Sequence, residues 1–93
     1  MMNYNIKTVG INRIITAKMP DNFIELLKAG PMQISFPVMV ENVIKEIKFT
    51  YNTTGTNATV QFEVAANKPI SILLMDGLVE IARALFITKN GLQ

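Results

Sequence analysis

The chain has 93 residues, 49% of them hydrophobic and 17% charged, which excludes an intrinsically disordered polymer and leaves room for a single core. Cysteine and histidine are both absent, so disulfides, thiolate chemistry, Cys-ligated metal sites and the commonest general base are excluded. Nine Lys and Arg against seven Asp and Glu give a net charge of +2, too small and too dispersed to announce a dedicated basic binding face.

Taken in chain order, Tyr4 to Met19 is rich in Ile, Val and Thr. Tyr4 and Ile6 share one parity, and Val9, Ile11, Ile15 and Ala17 share the other, with Gly10 between them. A parity switch at a glycine reads either as a bulge in one long strand or as a tight turn between two short ones. Asp21 to Ala29 has helical spacing, with Phe23, Ile24 and Leu27 on one face and Leu26 beside them. Asp21 or Asn22 caps its start and Gly30-Pro31 stops it.

Three strands follow. Met32, Ile34, Phe36, Val38 and Val40 alternate with Gln33, Ser35, Pro37 and Met39; the pattern repeats at Ile47, Phe49 and Tyr51, and at Val60, Phe62 and Val64. Period two means half-buried strands with one apolar face. Gly55-Thr56 suits a two-residue II′ turn, pairing Tyr51 with Val60, Phe49 with Phe62 and Ile47 with Val64, and setting Lys48 opposite Glu63. A turn at Glu41-Asn42 pairs Phe36 with Ile47 and Ile34 with Phe49. Pro37 lacks a backbone donor, so its strand belongs at a sheet edge. Val40, Val43, Ile44 and Ile47 also fit helical spacing, which leaves a helical kink at that turn as an alternative.

The last element is a long helix from about Pro69 to Asn90-Gly91. Asp76, Glu80 and Arg83 cluster on one side of it, and nearly all the rest of its circumference is apolar. Ile70, Leu73, Leu74, Leu78, Ile81 and Leu85 form one stripe, assigned to the sheet. Ile72, Met75, Val79, Ala82 and Phe86 form a second, spaced like a coiled-coil seam. This second stripe is core, covered by the N-terminal strand and short helix, or the interface of a homodimer or partner, or a groove for a foreign peptide or apolar ligand.

The fold expected is therefore α+β in the order β-α-β-β-β-α: an antiparallel three-strand meander plus an N-terminal strand or hairpin, packed against a long C-terminal helix, in one domain spanning residues 1–93. No catalytic residue, metal ligand or cofactor is expected. Asp76 and Glu80 converge on the helix but beside Arg83, as a solvated charge strip does. Ser35 and Ser71 sit at an outward strand position and in a helix's first turn, and Thr54-Gly55-Thr56 lies between strands, where no phosphate cradle forms. Ile70 to Ile87 approaches membrane-spanning length but contains Asp76, Glu80 and Arg83, which argues against insertion. With no signal sequence at Met1 to Asn5, a cytoplasmic, non-enzymatic interaction or structural protein is the first expectation, acting as a homodimer. Its Ile, Asn and Lys content fits the AT-rich genome of a phage, virus or plasmid. The alternative is a nucleic-acid-binding module that uses the mildly basic outer sheet face, with Lys7, Lys45, Lys48 and Gln61 as contacts.

Overall fold

A computed structural model of the chain describes residues 4–27 and 32–89. The fold is α+β. Strands β1 (Tyr4–Val9) and β2 (Asn12–Met19) form a hairpin, and a turn of 3-10 helix over Asp21–Phe23 leads into α1 (Ile24–Leu27). Strands β3 (Met32–Val40), β4 (Val43–Thr54) and β5 (Asn57–Ala65) follow as a meander, and α2 (Ile72–Lys89) closes the chain. All five strands join one antiparallel sheet in the spatial order β1-β2-β5-β4-β3.

The parity switch at Gly10 is a turn between two strands. Gly10 has a φ of +62°, and Val9 pairs with Asn12 across Gly10-Ile11. The hairpin returns Ile15 and Ala17 to the same face as Ile6 and Tyr4, so both parities serve one core. The β3–β4 register is the expected one, Phe36 to Ile47 and Ile34 to Phe49. Its turn is not a helical kink: Glu41 and Asn42 both take positive φ, 52° and 64°, the signature of a I′ turn, which matches strand twist. At Gly55-Thr56 only the glycine has positive φ, as II′ geometry requires, and Phe49 meets Phe62 and Tyr51 meets Val60. That ladder runs from Phe49↔Phe62 to Thr54↔Asn57 and ends before Lys48 and Glu63. Beyond it, Lys45 spans the gap by donating its ammonium to the Ala65 carbonyl.

The inner face is the core. Ile15, Ala17 and Met19 from β2, Val60, Phe62 and Val64 from β5, and Ile47, Phe49 and Tyr51 from β4 are all buried. The short helical segment is broken into 3-10 and α turns but buries Phe23 and Leu27, the face its spacing implied. Its expected stop at Gly30-Pro31, like the stop of α2 at Asn90-Gly91, lies outside the described residues.

The long helix starts later than Pro69. Ser71 accepts the Leu74 amide on its Oγ at 3.1 Å, and its carbonyl accepts the Met75 amide at 3.0 Å. That makes Ser71 the N-cap; a capping hydroxyl outranks a proline as a start signal because it satisfies an otherwise orphaned amide. The helix lies across the strands. Tyr4, Ala17, Val60 and Tyr51 form one transverse row of the inner face, running from edge strand β1 to β4. The Tyr4 hydroxyl donates to Asp76, while the Tyr51 hydroxyl donates to the Ala82 carbonyl at 2.6 Å. Residues later in the helix thus sit over strands farther from β1, which places the first turn of α2 at the β1 edge.

Candidate functional site

The roll of α2 about its axis decides which apolar stripe is free. Met75, Leu78, Val79, Ala82 and Phe86 are buried within the single chain, and Phe86 is the anchor. Its ring stacks on Phe23 with centroids 4.6 Å apart and tilts against Tyr51 at 5.1 Å. Of the alternatives for the second stripe the structure takes the core one, and the dimer or partner interface is corrected: Met75, Val79, Ala82 and Phe86 are core, and of that set only Ile72 is exposed, at 55%. The stripe assigned to the sheet is displaced in turn. Leu78 is buried and Leu74, Ile81 and Leu85 are half-buried, but Leu73 stands 83% exposed. An apolar pattern that runs nearly all round a helix does not fix its roll; here the Phe23–Phe86–Tyr51 cluster and the Tyr4–Asp76 bond do.

Asp76, Glu80 and Arg83 flank the buried face. Arg83 pairs with Glu80 at 3.1 Å, an exposed (i, i+3) contact of about 0.2–0.5 kcal/mol. Tyr4 shares this corner, and its phenol is pushed up to about 12, first by burial and then by its bond to Asp76 and the negative charges of Asp76 and Glu80. Tyr51 is pushed higher still by burial alone. Among the described residues no three of Asp, Glu, His and Cys converge as a metal set, and no charged side chain is buried.

The sheet leaves two free edges. Two-residue turns make Val9–Asn12 and Val40–Val43 hydrogen-bonded pairs, and such pairs alternate along an antiparallel ladder. Asn5, Lys7 and Val9 therefore bond to β2, while Tyr4, Ile6 and Thr8 direct their amides and carbonyls outward. On β3 the outward positions are Gln33, Ser35, Pro37 and Met39. Pro37 thus sits where an added strand needs a donor, and it interrupts that edge. No such interruption occurs in β1.

Among the described residues the outer face carries no buried side chain. One polar row crosses all five strands: Asn5, Thr16, Gln61, Thr50 and Gln33. Lys7, Lys48 and Gln61, proposed from the sequence as nucleic-acid contacts, all lie on this face. Lys45 does not. It pairs with Val38 on the inner side, and its ammonium holds the last residue of β5, next to Ala66, whose carbonyl Arg13 grips at 3.5 Å. Beside Lys45, an open cleft of about 480 Å³ lies between the Glu41-Asn42 turn and Asn67-Lys68.

No helix among the described residues is long and apolar enough to cross a membrane. Comparison with protein-family models, curated proteins and solved structures finds no match to this chain. The sequence reading missed Leu73 and the β1 edge as exposed features. Ser71 was the available signal for the first: as N-cap it starts the helix at Ile72, leaving Leu73 in a first turn with no strand beyond it.

Proposed function

We propose that this chain is a small non-enzymatic interaction module that works as a homodimer, with the exposed apolar start of α2 in the contact. The observation that carries this reading is the pair Ile72 and Leu73, 55% and 83% exposed in the first turn of a helix whose later turns already fill the core. Burying apolar surface is worth about 25 cal/mol per Å², so two large aliphatic side chains left in water favour association. A donor set without histidine or cysteine supports the non-enzymatic part. Sedimentation equilibrium on the wild type and on Leu73→Glu tests it. The wild type is expected to dimerise and the variant to be a folded monomer, because Leu73 contributes little to the core. A wild type that stays monomeric at every accessible concentration overturns the reading. Substitutions at Val79 or Phe86 would instead probe the core.

A second reading is favoured by the outer face, which no described element covers and which gathers Lys7, Lys48 and Gln61 in a polar field. It is a weak, sequence-tolerant nucleic-acid surface. Its lack of stacking aromatics, since Phe36, Phe49, Tyr51 and Phe62 all take the inner parity, ranks it second.

A further inference from the structure

The geometry points to how two copies meet: β1 of one chain pairs antiparallel with β1 of a second copy, joining two five-strand sheets into one of ten strands. This rests on the homodimer reading and specifies its contact.

Three features converge on this edge. Tyr4, Ile6 and Thr8 present outward amides and carbonyls with no proline among them. At the opposite edge, Pro37 blocks the equivalent register. A β1-to-β3 contact would be head-to-tail and would propagate into a filament; Pro37 disfavours that contact, while a β1-to-β1 twofold closes on itself. The third feature is apolar cover. Ile6 faces the inner side of β1 and is 46% exposed, and the first turn of α2, with Ile72 and Leu73, sits at the same edge.

Cross-strand chemistry selects the register. A twofold axis at Ile6 makes Ile6 face its own copy and Tyr4 face Thr8 of the second chain, three pairs that exchange backbone bonds. On the outer side it sets each Lys7 opposite an Asn5. Centring the axis on Lys7 instead would put two lysines directly opposite, which is unfavourable. The Ile6 pair then lies on the inner side, the side of the sheet that carries α2.

Amide hydrogen exchange measured against protein concentration tests this directly. The Ile6 and Thr8 amides are expected to be unprotected in dilute protein and protected as dimer forms, while the outward Gln33, Ser35 and Met39 amides stay unprotected throughout. Ile6→Pro removes an outward amide together with a half-exposed side chain and no intrachain ladder bond, so the monomer fold is expected to persist while the dimer dissociation constant rises about 100-fold or more. Thr8→Pro is the second variant, in case the first perturbs the hairpin. A dimer that survives both prolines without concentration-dependent protection at Ile6, yet is lost in Leu73→Glu, overturns the edge pairing and keeps the homodimer. A wild-type monomer overturns both. A monomer carrying a retained peptide mass, with Ile6 protected, assigns the edge to a foreign strand and overturns the second-copy occupant.

Discussion

Tyr4 and Tyr51 stand in one transverse row of the inner face and hold α2 at two points, one through a carboxylate and one through a backbone carbonyl. They are the only tyrosines in the chain, so a phenolate absorbance titration reads them alone. Both are pushed above the ordinary value of 10, so between pH 10 and about 12 the unfolded chain releases protons that the folded chain keeps. The contribution of the two tyrosines to stability is then expected to be level below pH 10 and to fall as pH rises above it. Asp76→Asn removes the negative charge but keeps an acceptor, and should lower the Tyr4 step while leaving that of Tyr51 in place. A Tyr4 step at the ordinary value in the wild type would contradict the contact. Tyr51→Phe should cost about 1 kcal/mol at neutral pH in chemical denaturation and flatten the alkaline decline. The two faces of α2 separate as sharply. Phe86→Ala, at a fully buried ring stacked on Phe23, should cost about 3–5 kcal/mol, whereas Leu73→Ala should change monomer stability by no more than about 0.5 kcal/mol. Had the second stripe been an exposed interface, with Leu73 turned to the sheet, that order would reverse.

At the scale of the elements, the β3–β4–β5 meander was legible because alternation and turn chemistry agree: Gly55 supplies the positive φ of its hairpin, and Glu41-Asn42 lies between strands whose apolar parity changes there. The first hairpin was ambiguous because Gly10 is followed by Ile11, a residue with no turn preference, so a bulge fitted equally well. The short helix was legible in its buried face and not in its regularity, since two helical turns pressed on a sheet take their geometry from packing. Glycine makes the element-level argument testable. Gly55 has a φ of +61° and open space where a methyl group would stand, so Gly55→Ala meets no clash and still should cost about 1 kcal/mol from backbone strain alone. Gly77 lies in α2 with equally open surroundings and no positive φ, so Gly77→Ala should stabilise by about 0.8–1.0 kcal/mol through helix propensity. One substitution with opposite signs at two sites, read by urea denaturation, separates turn from helix. Equal signs would refute one of the two assignments.

The sheet order was not legible, because β5 inserts between β2 and β4 through pairings such as Asn12 with Ala65 that no local pattern announces. That order puts β1 and β3 at opposite edges and leaves one broad face that no described element covers, so the surfaces that matter most for partners are set by long-range topology. On the outer face Lys7, Lys18 and Lys48 stand against Glu46 and Glu63, a small positive surplus. In a dimer joined at β1 the two outer faces become one, and the two Lys7 side chains approach each other at its centre. Polyanion binding should therefore be weak in the monomer and stronger in the dimer, and by linkage a bound nucleic-acid strand should favour dimerisation. With about three phosphates neutralised per chain, the affinity should fall with salt at a log–log slope of about −2. Lys48→Glu should reduce that slope and weaken binding without altering the dimer mass, since Lys48 is far from β1 in the strand order. Fluorescence anisotropy with a labelled oligonucleotide at low ionic strength measures both quantities. A wild type with no salt-dependent signal removes the nucleic-acid reading and leaves the outer face as solvent-exposed surface. A signal that Lys48→Glu leaves intact moves the basic contact to Lys45 and Lys68 at the cleft by the Glu41-Asn42 turn, on the other side of the molecule.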